Sequence, residues 1–554
     1  MRCRYNGFSI LNALLLFISI VCWDVTISAN EPASYIYMSR KRTPEYFYNE
    51  GEKMIEDKRY AEALQYYLQA ASMGHMAAQY KAGYMYQYGQ GTERDHVSAA
   101  YWYEKAAQQG DCDSQYKLAY CYKQGAGREQ NYAMAIYWFK KAAEQGDETA
   151  MCEIGICYVN GLGVERDYKE AIGWFLPAAN SGFALAQFNL GVCYSMCRDY
   201  NKAVEWYKKA AMQGNRSAEC NLGLCYAKGE GVKQSYEEAV KWYELAAKQN
   251  DARAENLLGV CYEYGQGVPQ NGDTAFYWYE RAANHNNIIA EYNMGHCYYI
   301  GCGVKRDYGK AAEWFEKSAR HGNREAQFYY GYCKEYGQGV EQNYREAVSW
   351  YREAAKRGNH DAEYNLGHCY YLGHGVAKDY SEAVSWYMRA AKYHQSEAEL
   401  ALGCCYENGE GVPQDYKKAM KWYMAAAEDG EIDAEYNIGH LYHHGHGVEV
   451  DCRKAAEWYL KAANHGQYEA AFHMGELCEN GEGVPQNYEE AIRWYRFAAE
   501  HDIAGAEYNL GRCYYLGHGV KQDSTEGENL FMEAAKHGHK EAQEYFKSRY
   551  YFVD

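Results

Sequence analysis

Tryptophan recurs through this chain at a fixed interval. Trp102, Trp138 and Trp174 are 36 residues apart, Trp206 follows after 32, and Trp242, Trp278, Trp314, Trp350, Trp386, Trp422, Trp458 and Trp494 return to 36. Tyr66 and Leu530 hold the same register at the two ends, which makes fourteen units. A period of this length marks stacked supersecondary units, none of which buries its hydrophobic face alone. Length agrees: a chain of 554 residues exceeds the roughly 250–300 residues at which single cores stop growing. Only 6 prolines leave most of it free to be helical, and 53 glycines punctuate it often.

The unit beginning at Asp361 shows the pattern. Ala362, Leu366, Cys369 and Tyr370 fall at helical spacing, and Gly373 and Gly375 then break the helix. Asp379 is placed as the N-cap of a second helix, with Glu382 completing a capping box. Equivalent cap positions hold Asp95, Asn131, Asp167, Asp199, Ser235, Asp307, Asn343, Asp415, Asp451, Asn487 and Asp523, all able to accept from first-turn amides. The second helix carries Ala383, Trp386, Tyr387 and Ala390 on one face and stops at a glycine such as Gly358 or Gly430. Units one and four lack the GxGV turn: Gly51 to Tyr66 and Gly191 to Trp206 span 15 residues against 19 elsewhere, predicting tighter hairpins. Residues 539–554, with Ala542, Tyr545 and Phe546, read as a capping helix and tail.

The segment AEYNLGHCYYLGHGVAKDYSEAVSWYMRAA, from Ala362, closely resembles the Sel-1-like repeat, a relative of the tetratricopeptide repeat. The resemblance covers nearly everything after residue 44. It implies an all-α fold, a right-handed α-α superhelix of about fourteen two-helix repeats, acting as an adaptor for protein complexes. Such repeats occur in endoplasmic-reticulum quality control and in bacterial signalling and host contact. Fold alone does not assign one reaction. The expected division is a signal peptide (1–29), a linker (30–43), the repeat array (44–538) and the C-terminal cap (539–554).

The signal peptide rests on Arg2 and Arg4, the apolar stretch Ile10 to Trp23, and Ile27-Ser28-Ala29 before Asn30. It predicts export: secretion, the periplasm or the endoplasmic-reticulum lumen. The apolar stretch is shorter than the ~20 residues of a spanning helix, and no later segment spans. A net charge of −18, from 57 basic and 75 acidic residues, disfavours nucleic acid, which demands a basic footprint. It suits partner proteins or peptides carrying Lys or Arg.

Ten cysteines share one register: Cys121, Cys157, Cys193, Cys225, Cys261, Cys297, Cys333, Cys369, Cys405 and Cys513. Successive copies lie two helix layers apart, roughly 16–20 Å, whereas a disulfide needs Cα atoms within about 7 Å. They are expected to be buried thiols. The scattered Cys112, Cys152, Cys197, Cys220, Cys302, Cys404, Cys452 and Cys478 leave room for one or two irregular bridges. The family resemblance also has a cysteine-rich secreted branch, which pairs a cysteine in each helix of a unit and has been credited with binding and hydrolysing β-lactams. Second-helix interiors here lack that cysteine. A secreted hydrolase or β-lactam-binding protein is therefore the second reading, and no enzyme is expected. His440, His443, His444 and His446 form the densest histidine cluster, with His440 and His444 at the i, i+4 spacing of a metal pair. No nearby carboxylate or cysteine in the sequence clearly completes the set, so exposed variation, and no metal, is expected. The GxG motif of twelve units lacks the strand and Lys-Ser/Thr of a phosphate loop, so no cofactor is expected either.

A longer period overlies the first. AEYN recurs at 290, 362, 434 and 506, while the intervening units carry Glu263, Glu335, Glu407 and Glu479. In tetratricopeptide repeats the first helix lines the concave face. Transferred here, that implies a groove formed by Tyr292, His296, Tyr299; Tyr364, His368, Tyr371; Tyr436, His440, His443; and Tyr508, Arg512, Tyr515, with the four glutamates between these sets. Each set follows i, i+4, i+7, one face of a helix.

Overall fold

The computed structural model describes residues 43–550. The expected signal peptide, the linker before residue 43 and the tail 551–554 lie outside the described residues. Those residues form 29 helices and no strand, an all-α solenoid of helical hairpins. The chain divides into two compact units, one ending at Ala218 with Glu230–Val232, the other made of Glu219–Gly229 and Lys233 onward. In the first unit hairpins run from Pro44–Glu56 with Tyr60–Ser72 to Ala184–Met196 with Tyr200–Ala211. In the second they run from Ala252–Tyr264 with Gly272–Asn284 to Ala504–Leu516 with Ser524–Lys536, closed by Lys540–Tyr550. No helix among the described residues is long and apolar enough to cross a membrane.

The hairpin built from His360–Leu372 and Tyr380–Ala391 shows how sequence makes the unit. The first helix ends on Gly373 at φ 81°. Gly375 is also left-handed at φ 71°, and a Cβ there would lie 2.3 Å from the carbonyl oxygen of Tyr344 in the preceding repeat. Conformation and contact both demand glycine. The Asp379 N–H closes the turn onto the Tyr370 carbonyl at 2.9 Å, and the Asp379 carboxylate accepts from the Glu382 N–H at 3.0 Å. The Glu382 side chain accepts from Trp386 Nε1 at 3.0 Å, so the reciprocal half of the expected capping box is spent on the indole. Every cap named above accepts from its first turn, and Asn271, absent from that set, does the same for Thr274. A glutamine just before the cap adds a clasp: Gln342, Gln414 and Gln486 each donate to the carbonyl seven residues earlier, at 2.8, 2.7 and 2.8 Å.

Tryptophan sets the register without being the deepest residue. The fully buried ring is the next one along, as in Tyr279, Tyr351, Tyr387, Tyr423, Tyr459 and Tyr495, whereas the tryptophans of the repeats, Trp206 apart, are half-buried. Each buried ring presses on a first-helix glycine; a Cβ on Gly367 would meet the Tyr387 ring at 2.7 Å. Helices thereby approach closely enough to pack at interior density. The short hairpins are tighter, as expected: three residues join the helices, with Lys58 at φ 61° and Arg198 at φ 62°.

All ten in-register cysteines are buried, and none is part of a disulfide. Burial pushes the Cys369 thiol up to about 12. The eight scattered cysteines are free as well, so none forms the irregular bridge the sequence left room for.

Candidate interaction face

The first helices of the second unit present the four predicted aromatic sets, all half-buried. The leading tyrosine of each set packs against the buried ring of its own second helix. Tyr292 lies 5.9 Å from Phe315, Tyr364 5.8 Å from Tyr387, Tyr436 5.9 Å from Tyr459 and Tyr508 5.2 Å from Phe531, between ring centroids. One edge of each phenol is core and the other is surface. The second member stacks on the first: His296 lies 6.1 Å from Tyr292, and His368 6.1 Å from Tyr364. Of the third members, Tyr299 meets Tyr308, Tyr515 packs on Phe531, and Tyr371 donates to Glu410 at 2.7 Å. Arg512 reaches toward Glu479 Oε1 at 3.8 Å, and His296 toward Glu263 Oε1 at 3.9 Å.

The four glutamates are not free groove charges. Tyr279, Tyr351, Tyr423 and Tyr495 donate to Glu263, Glu335, Glu407 and Glu479 at 2.5, 2.6, 2.6 and 2.7 Å. A buried phenol needs an acceptor, and the carboxylate 16 residues earlier supplies it. Glu335 is only 4% exposed, which removes it from any groove surface. Burial raises its pKa, and the Tyr351 bond partly offsets this. The AEYN asparagines join the same network: Asn365 and Asn509 each donate to the tyrosine hydroxyl of the preceding repeat at 3.4 Å. At Glu335 and Glu479 the double period thus has a physical counterpart, a glutamate–tyrosine–asparagine chain linking neighbouring repeats.

A second row of carboxylates went unassigned in the sequence. The glutamates of AEYN and their equivalents are buried beneath cations from the end of the second helix. Glu255 meets His285 at 2.7 Å and Arg281 at 2.9 Å; Glu291 meets His321 at 2.7 Å and Lys317 at 3.1 Å; Glu435 meets His465 at 2.8 Å and Lys461 at 2.9 Å. The available signal was the Arg/Lys-x-x-x-His ending of those second helices.

The histidine cluster also differs from expectation. Among its members only His444 is exposed. Carboxylates absent nearby in sequence arrive from neighbouring segments: Glu407, His440 and His446 converge, as do His443, Cys452 and Glu482. Burial, and then the neighbouring His444, lowers the His440 pKa to about 4. His368 is lowered by burial and next by His374.

Fold and face together define a tandem helical-repeat protein of the solenoid class. The Sel1 repeat family model matches fourteen consecutive segments, from residues 32–75 through 504–539. The chain belongs to the Sel1 repeat family, whose members generally act as protein-interaction scaffolds. It is similar to the crystal structure of c5321, a protective antigen of uropathogenic Escherichia coli strains with an SLR fold. That likeness has 32% identity and a TM-score of 0.62, and covers 88% of this chain and 97% of the other. A Sel1 repeat protein from Oxalobacter formigenes is 29% identical with a TM-score of 0.45, covering 56% of this chain and 89% of its own. No curated protein matches the chain.

Proposed function

We propose that this chain is an exported scaffold that holds partner proteins or peptides along the first-helix face of its second unit. The observation that carries the reading is the run of half-buried Tyr–His and Tyr–Arg sets repeated every two hairpins. Tyrosine offers large amphipathic contact area at low entropic cost, and here its inner edge is already immobilised by packing. A preordered surface loses less freedom on binding. Glu263, Glu407 and Glu479 border the face, and an open hollow between two repeats is lined by Glu431, Asp433, Glu469 and Tyr468. These charges, with the net −18, favour partner segments bearing Lys or Arg. Export rests on residues 1–29 and is tested by N-terminal sequencing of protein recovered from outside the cytoplasm, which should begin at Asn30. The hydrolase reading drawn from the cysteine-rich branch finds no support in free, buried thiols.

The test of the face spares the leading tyrosines and Glu335, which contribute most to the core. A full-length variant combining His296→Ala, His368→Ala, Arg512→Ala, Tyr299→Ala, Tyr371→Ala and Tyr515→Ala should keep its helicity and lose partners captured by the native chain. Retention of the same partners by a folded variant would contradict the assignment.

A further inference from the structure

We propose that Glu407, His440 and His446 form a binding site for a first-row transition-metal ion of the Zn2+ type, built across two adjacent repeats. Glu407 comes from the helix Ser396–Asn408, His440 from Ile432–His444, and His446 from the turn that follows. One ligand atom of each lies within 4.8 Å of the other two. Donors held about 2.1 Å from one tetrahedral ion sit about 3.4 Å apart, so side-chain rotation alone closes the set. Two imidazole nitrogens and one carboxylate oxygen suit Zn2+, Co2+, Ni2+ or Cu2+, and do not suit Ca2+ or Mg2+, which take oxygen ligands.

Independent features point to the same place. The buried Nδ1 of His446 meets no hydrogen-bond partner among the described residues. Its ring lies on Tyr416 at 4.7 Å, which fixes its plane. Glu407 already accepts from Tyr423 through Oε2 at 2.6 Å; this is the outer-shell hydrogen bond that orients a ligating carboxylate, and it leaves Oε1 available. His444 is exposed beside the set, its ring centroid 4.2 Å from that of His440 and its Nδ1 3.1 Å from the His440 carbonyl oxygen.

The internal repeat supplies a comparison. The same three positions hold Glu263, His296 and Cys302; Glu335, His368 and His374; and Glu479, Arg512 and His518. Arginine has no lone pair to give, so the last set is closed to a metal. Among the described residues only the Glu407 set of these four converges within 4.8 Å.

The site is tested with the metal alone and the purified full-length chain, so its outcome does not depend on whether any partner binds the face. After chelator treatment and dialysis, Co2+ should give a visible d–d spectrum saturating with the native chain, and Zn2+ should displace it. His440→Ala and His446→Asn should each weaken Co2+ binding at least tenfold, while His368→Ala leaves it unchanged. Unchanged far-ultraviolet helicity in His446→Asn, a turn substitution, keeps loss of binding separate from loss of fold. Equal affinity in the native chain and both variants would overturn the proposal. So would loss of binding in Cys452→Ser with His446→Asn unaffected, which would place the ion on His443, Cys452 and Glu482 instead.

Discussion

The two units solve one packing problem with different chemistry. In the first, the residue behind the recurring first-helix Ala or Ser is most often glutamine, buried and bonded to a glutamine at the end of the second helix, with Met151 taking the place in Glu148–Asn160. Gln109 donates to Gln79 at 2.6 Å, Gln145 to Gln115 at 2.9 Å and Gln213 to Gln187 at 2.8 Å. In the second, the same rung is mostly glutamate beneath histidine, lysine or arginine, as at Glu255, Glu291, Glu435 and Glu507. A neutral rung satisfies its polar atoms without burying charge. A charged rung gains from attraction but carries the desolvation of a carboxylate that is 0% exposed at Glu255 and Glu291. Architecture alone therefore does not set the response of a repeat to mutation or pH; the pair of residues on the rung does.

The largest break in this comparison should come from stripping a charged rung. Lys317→Ala with His321→Ala leaves Glu291 buried without a cation. The expected loss is about 2 kcal/mol, below the value for a fully buried pair because both cations are about half exposed. Urea unfolding measures it. A neutral rung should be milder: Gln145→Ala should cost about 1 kcal/mol by the same measurement, the scale of one hydrogen bond.

One rung sharpens the contrast from the opposite side. Glu399 is buried, yet the rung position above it is Asp429, and His394 stands off at 3.9 Å. Burial, and then Asp429, raises the Glu399 pKa. Asp429→His should restore the pattern of the neighbouring repeats and stabilise the protein by about 0.5 kcal/mol at pH 6. A destabilised variant would break the rung account.

The smallest effect is a slope with pH at the C-terminal rung. The hydrogen bond and charge of Glu507 raise the His537 pKa above 6.5, and burial raises that of Glu507 above 4.5. Both groups hold protons more tightly folded than unfolded, so stability falls as pH rises through their folded values. His537→Gln should flatten that slope in melts from pH 5 to 8, and Gln145→Ala should leave it unchanged.

Much of the fold was legible because repetition averages out local ambiguity. Trp386, Asp379, Gly373 and Gly375 recur in type through many copies, and caps and left-handed stops follow from residue chemistry in one unit. The rungs were harder to read. Glu255 and His285 are 30 residues apart, and only the folding back of one hairpin brings them together. Of the glutamates placed in the groove, the buried Glu335 was misread for the same reason. Their period was visible, but the tyrosine hydroxyl that ties Glu335 inward is a contact between helices. His446 carried no spacing signal either, since Glu407 reaches it from the preceding repeat.

Photo-crosslinking measures directly whether partners lie on the first-helix face of the second unit. A benzophenone side chain placed at residue 371, on that face, should capture a partner that the same group fails to capture at residue 277, an exposed second-helix position. Crosslinks at 277 with none at 371, in protein of native helicity, would contradict the account.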